Sequence, residues 1–161
     1  MALDMFIKLT GVTGESKDSV HKGEIDVLAW SWGLSNSGTF HGGGGGGSGK
    51  ANFQDLSFTK YVDSSSAALM LNAASGEHIT DGLLTVRKSG GKAPLEYIKI
   101  TLKKILVSSV STGGSGGEDR LTENITLNFG EMDYAYSEQK DDGTGAPAKE
   151  FKWNIEENIK V

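Results

Sequence analysis

The chain contains no cysteine, which excludes disulfide staples and any zinc site built on thiolates. Histidine is scarce as well. The three present, His21, His41 and His78, are too few and too scattered for a dense imidazole metal centre. Basic residues are outnumbered, 16 Lys and Arg against 21 Asp and Glu, for a formal net charge of −5. A phosphate backbone needs a basic face, so nucleic acid is a poor partner for this chain. No segment approaches the roughly 18 consecutive apolar residues of a membrane-spanning helix. The first residues, Met1 to Lys8, lack the basic start and the long apolar stretch of a secretory leader and read as a strand instead. These absences predict synthesis in the cytoplasm, no membrane insertion, and export only through a dedicated machine. A length of 161 residues, with no internal repeat and no linker, predicts a single domain over 1–161.

Glycine, by contrast, is abundant: 23 residues against two prolines, with six consecutive glycines from Gly42 to Gly47 and a second cluster at Gly113–Gly117. Elsewhere the dominant signal is period-two alternation, the signature of strands with one buried face. Leu3, Met5, Ile7 and Leu9 share a face. Ile125, Leu127 and Phe129 alternate with Asn124, Thr126 and Asn128. Phe151, Trp153 and Ile155 line up near the end. Residues 24–36 read as one long extended stretch, with Leu28, Trp30, Trp32 and Leu34 on one face and Ile25, Val27, Ala29 and Ser31 on the other. Residues 53–62 read as a further strand. A pair of strands at 78–88 and 95–111, joined through Gly90-Gly91, reads as a hairpin. One change of period stands out. Asp63 to Ser66 offer N-cap candidates, residues 67–74 are good helix formers, and Gly76 suits a left-handed stop, which predicts a helix over 65–75. Seven or eight strands and one helix suggest a barrel or a sandwich.

Several patterns invite a chemical reading. Gly44 to Lys50 satisfies G-x-x-x-x-G-K, the start of a phosphate-cradling loop, but the next residue is Ala51, so the magnesium-binding hydroxyl is missing, and a strand follows where a helix is required. Gly114-Ser115-Gly116 lacks the spacing of a nucleophile elbow. Glu123, Glu131 and Asp133 share the parity of Ile125, Leu127 and Phe129, which leaves open a paired-carboxylate hydrolase site; strand ends reaching solvent are the simpler account. Trp30 and Trp32 fit a core anchor better than a ligand platform. If they are core, the opposite face of that strand, carrying Ser31, Ala29 and Val27, meets either a neighbouring chain or open space.

The run Glu24-Ile25-Asp26-Val27-Leu28-Ala29-Trp30-Ser31-Trp32-Gly33, the glycine run, and Phe53-Gln54-Asp55-Leu56-Ser57-Phe58-Thr59-Lys60-Tyr61-Val62-Asp63 resemble the haemolysin-coregulated protein (Hcp) family of the type VI secretion system. So do Leu84 to Lys88, Val107 to Gly117 and Leu121 to Phe129, so the likeness runs end to end. The resemblance implies a mainly β fold: a small β-barrel of two packed sheets with one α-helix on the side and a long glycine-rich loop. It implies a non-enzymatic tube subunit with no cofactor. Six copies would close into a ring, rings would stack, and the lumen would carry or protect secreted effectors. The partners implied are further copies, effectors, and the spike and sheath or baseplate components. Ser31, Ala29 and Val27 would then face the lumen. Gly42, Gly43, Gly44, Gly45, Gly46 and Gly47, with Lys50, would form the loop that touches the next ring. A monomeric barrel holding a small ligand inside is the alternative from another functional class.

Overall fold

Strand alternation becomes a nearly continuous set of antiparallel ladders in the computed structural model, which describes residues 3–40, 50–88 and 94–161. The elements are β1 (Leu3–Leu9), β2 (Ile25–Asp26), β3 (Ala29–Ser31), β4 (Leu34–Asn36), β5 (Ala51–Phe53), β6 (Leu56–Tyr61), α1 (Ser66–Ser75), β7 (Ile79–Lys88), β8 (Leu95–Thr112), β9 (Thr122–Tyr136), β10 (Lys149–Asn154) and β11 (Ile159–Lys160). In the main sheet the order is β11-β10-β9-β8-β7-β1-β2, with β6 also on β9 and β3 on β6; β4 and β5 form a separate pair.

β9 changes partner along its length. Its first half, Thr122 to Leu127, pairs with β6; its second half, Glu131 to Tyr136, pairs with β10. The segment 25–31 does the same thing. Ile25 and Asp26 pair with β1. Val27 N–H then donates to the Met5 carbonyl at 2.9 Å, and Leu28 N–H donates to the Thr59 carbonyl at 2.8 Å. Ala29–Ser31 continue along β6. The pairing thus runs in a circle, β9-β8-β7-β1-(25–31)-β6 and back to β9, and the ladder closes on itself as a small barrel. Closure removes the exposed edges that an open sheet must otherwise protect.

Three neighbouring strands change the phase of their alternation at the same level. The buried residues pass from Ile79 to Gly82 on β7, from Leu102 to Ile105 on β8, and from Phe129 to Met132 on β9. Lys104, at φ 56°, sits in the left-handed region in the middle of β8. Gly130 lies beside it, where an added Cβ would meet the Lys104 side chain at 3.3 Å. A coordinated step of this kind bends a sheet sharply, so one strand can contribute to both layers of the core. Inside, Ile7, Leu9, Ile25, Val27, Leu56, Phe58, Ile100, Ile105, Ile125 and Leu127 form one continuous cluster, and Leu69 of α1 belongs to it.

The helix spans 66–75, within one residue of the expected range. It ends at Gly76, φ 72°, whose N–H donates to the Asn72 carbonyl. The Ser65 hydroxyl does not cap it. The Asp63 carboxylate accepts the Ser65 N–H at 2.8 Å instead. β7 and β8 are antiparallel as expected of a hairpin, although Gly90-Gly91 lie outside the described residues. Where 24–36 read as one strand there are three, because the segment leaves β1 at Val27 to join β6. Where 53–62 read as one there are two, with a break at Gln54-Asp55.

A smaller cluster forms on the other side of β1 and β7. The Phe6 ring stacks on the His21 imidazole at 4.5 Å, and the Arg87 guanidinium lies over the Phe6 ring, 5.1 Å from its centroid. Arg87 grips both oxygens of Asp18 at 2.7 and 3.1 Å and one of Asp4 at 3.1 Å. Asp18 also accepts the N–H groups of Val20 and His21. Glu24 and Glu96 bracket the two His21 ring nitrogens at 2.8 and 2.7 Å. These contacts pin residues 16–24 across the sheet.

Candidate functional site

The site expected at Ser31 forms where β3, β6, β9 and β8 lie side by side. Register places Ala29, Thr59, Asn124 and Ser111 in one cross-strand row. Ser31, Ser57, Thr126 and Ser109 form the next. The alternating residues Phe58, Ile125 and Leu127 point the other way, into the core. Both rows therefore stand on the outer face. Thr59 Oγ1 donates to Asn124 Oδ1 at 2.7 Å, and Ser57 and Thr126 hydroxyls meet at 3.4 Å. A shallow hollow of about 230 Å³ lies over Ala29, Ser31, Ser57 and Thr59.

Val27 does not share this face. It is 5% exposed and belongs to the core cluster. The reason is the ladder change at Val27-Leu28, which shifts the alternation by one. Residues 25 and 27 point inward with β1, whereas 30 and 32 point inward with β6. Trp30 and Trp32 pack against the core, as their size suggested, but both are only partly buried. Leu28 and Leu34, expected to accompany them, are exposed.

The floor beneath the two rows contains a feature that alternation did not reveal. Lys60 follows Phe58 on the inward side of β6 and is fully buried, and its Nζ lies 2.5 Å from Glu123 Oε1, with both side chains at 0% exposure. Lys60 Nζ also donates to Asp63 Oδ1 at 2.9 Å, to the Tyr61 carbonyl at 3.0 Å and to Ser66 Oγ at 3.2 Å. Ser66 Oγ in turn donates to Glu123 Oε1 at 2.5 Å. Burial works against the Asp63 carboxylate, but its bonds from Ser65 and Lys60 prevail and hold its pKa below the usual range. This network ties the start of α1 to the inner face of β6 and β9. The inverse signal, a lysine at an inward parity three residues before an aspartate, was visible in the sequence.

Of the three carboxylates considered for hydrolysis, Glu123 is thus neutralised by Lys60. The phase step at Gly130 then turns Glu131 and Asp133 to the outer face of β9. There, register sets them opposite Lys103 and Thr101 of β8, and Asp133 lies 3.9 Å from Lys152. The Asp133 pKa is raised, first by burial and then by the nearby Glu150 carboxylate. Glu131 and Asp133 line one open cleft of about 400 Å³ together with Lys103 and Lys152, and Glu123 is not part of it. The barrel interior, where a ligand would sit in a monomeric binder, is occupied by packed side chains such as Leu56, Phe58, Ile100 and Ile125, each at most 1% exposed.

Lys50 is exposed and leads directly into β5, a strand, so the helix demanded by a phosphate loop is absent at this place. Gly42 to Gly47 lie outside the described residues. Below β5 opens a cleft of about 630 Å³, walled by Phe53 and Asp55 on one side and by Lys104, Gly130 and Glu156 on the other. Lys104 and Glu156 pair across its far wall at 2.9 Å. No helix among the described residues is long and apolar enough to cross a membrane.

Residues 6–136 match the family model described as "Type VI secretion system effector, Hcp". The curated protein hcp1 of Pseudomonas aeruginosa is 60% identical over 163 aligned positions, covering all of both chains. Among solved structures, a type six secretion system protein superposes with a TM-score of 0.92 at 31% identity, over 99% of this chain and all of the other. Hcp1 of Salmonella typhimurium gives 0.81 at 32% identity over the whole of both chains. A type VI secretion system effector of Yersinia pestis gives 0.77 at 32%, over 94% of this chain and all of its own.

Proposed function

Because the chain belongs to the Hcp family of type VI secretion proteins, we propose that it is the structural subunit of the secretion tube: six copies close into a ring, rings stack, and the lumen carries or protects secreted effectors. The observation that carries this reading is the four-strand outer face around Ala29 and Ser31. It is shallow, at least half-exposed and made of short side chains, as the wall of a wide pore requires. Ring closure by rotation calls for two different patches on each copy, one meeting the other. Each such interface should bury more than about 1,000 Å² in total. Lys50 and Gly42–Gly47 are assigned to stacking on the next ring. In this reading the protein is made in the bacterial cytoplasm and delivered to the extracellular space or a target cell by the secretion machine itself.

Light scattering at micromolar concentration tests the ring. Six times the monomer mass is expected, and a stable monomer refutes it. Shortening Gly42–Gly47 should weaken stacking, seen by sedimentation of filaments, while the ring mass stays the same. Loss of the ring itself would overturn the assignment of the loop.

A further inference from the structure

The two ends of the outer face differ. At one end β8 and β9 are joined by residues 113–121, beyond their last pair, Thr112 with Glu123. At the other end Leu106 and Asn128 lead into the cleft of about 630 Å³ beneath β5. From Leu106 to Thr112 the strand spans about 20 Å. The connection contains the second glycine cluster, Gly113–Gly117, and is shaped to enter a narrow space. Its only side chain between those glycines is the Ser115 hydroxymethyl, and every residue from Ser111 to Leu121 is exposed. A Cβ added at Gly113, Gly116 or Gly117 would meet nothing within 4 Å, so packing inside their own copy does not require these glycines. Their main chain is also largely free. Among the described residues, only a local turn holds it, with the Glu118 N–H on the Ser115 carbonyl at 3.2 Å and the Gly117 N–H on the Ser115 hydroxyl at 3.5 Å.

The cleft offers what a bare main chain needs. Asn52, Gln54 and His78 line it, and their side chains have no hydrogen-bond partner among the described residues. A carboxamide both donates and accepts, so it can pair with a peptide group on both sides. The charges of the cleft are already spent, Lys104 on Glu156 at 2.9 Å and Asp55 on Ser108 and Asn128. An uncharged backbone therefore suits it better than a charged side chain. Gly130 keeps the floor open, since a Cβ there would meet Glu156 Oε1 and the Lys104 side chain at 3.3 Å. We propose that this cleft is the seat for residues 113–117 of a copy in the next ring. The proposal rests on the reading that rings stack. An open-ended stack of identical joints is heterologous, with one end of each copy set on the opposite end of the next. Loop and cleft stand at such opposite ends. Close approach of one backbone to another surface is also what glycine permits and larger residues prevent.

The lack of cysteine makes site-specific cross-linking possible. Gly116→Cys combined with Asn52→Cys places one thiol on the loop and one on the cleft of every copy. Stacked rings are treated with a short bismaleimide, and the chains are resolved on a denaturing gel. A ladder running past six chains is expected, because each link passes to another ring. A ladder that ends at six puts the contact inside one ring and overturns the proposal. So does the lack of any ladder from filaments that sediment normally. Gly117→Cys with His78→Cys repeats the test at a second pair should the first variant fail to assemble. Gly116→Gln gives an independent readout, because its side chain meets nothing in its own copy. Light scattering should still give six times the monomer mass, while the sedimenting filament fraction falls about tenfold. Unchanged filaments in Gly116→Gln overturn the proposal as well. If the unaltered rings give no sedimenting filaments, the stacking reading itself fails and takes the proposal with it.

Discussion

Replacing Lys60 by methionine should be among the most damaging single changes in the interior, although it exchanges a charged residue for a hydrophobic one in a core. Lys60 Nζ lies 2.5 Å from Glu123 Oε1 with both side chains at 0% exposure, and Glu123 Oε2 already has no hydrogen-bond partner. Among the described residues, Lys60→Met therefore leaves a buried carboxylate with the Ser66 hydroxyl as its remaining donor. Breaking a buried pair from one side typically costs about 3–5 kcal/mol. Asp63 adds little to the loss because it keeps Ser65 as a donor. For a chain of this size that corresponds to a fall of about 6–20 °C in Tm. The double variant Lys60→Met with Glu123→Leu removes both charges and should recover most of the loss. It should remain within about 1–2 kcal/mol of the original protein, chiefly through the acceptor lost to Ser66. Urea unfolding of the four proteins, at one concentration so that assembly contributes equally, yields the coupling energy of the cycle. Additive effects, or a Lys60→Met cost below about 1 kcal/mol, would falsify the claim that Lys60 and Glu123 are coupled as a buried charge pair.

Four other substitutions probe the fold more locally. Val27→Ser should cost about 2 kcal/mol or more because it places a hydroxyl in the core, whereas Ser31→Gln should stay within about 0.5 kcal/mol; equal shifts in the urea midpoint would contradict the phase change at Val27-Leu28. Gly76→Ala should destabilise by about 1 kcal/mol, seen in the thermal midpoint, because φ 72° is left-handed. The Asp18 pKa is held down from 3.8 to about 2, first by hydrogen bonds from Arg87, against opposing desolvation, and further by the N–H groups of Val20 and His21. A depressed folded-state value means stabilisation that is present above pH 3.8 and is lost as pH falls toward about 2. Asp18→Asn should therefore be less stable than the original near neutral pH, with the gap closing through that window. A gap that is constant with pH would show that the aspartate acts by shape alone.

Much of the barrel could be read from alternation, since strands such as β1 and the first half of β9 keep one face in the core throughout. The helix was legible because its stop is local: a glycine after a run of helix formers needs no distant partner. The failed phosphate loop was legible for the same reason, from one missing hydroxyl at Ala51 and a strand where a helix was needed. The misreadings all occur where a strand changes neighbour. Parity counted from Ile25 puts Val27 with Ser31, but hydrogen bonds to Met5 and Thr59 shift the count between them. Parity counted from Ile125 puts Glu131 and Asp133 with Glu123, but Lys104 and Gly130 step the sheet and separate them.

Local chemistry was thus enough to set the class of fold and the position of the helix, because periodicity and backbone preference act within a few residues. Which side of each strand is outer face and which is core was decided by ladder partners tens of residues away. The burial of Lys60 belongs to the same group. Its inward parity was visible in β6, but a lysine is tolerated there only because β9 brings a carboxylate to meet it, and no pattern within β6 contains that information.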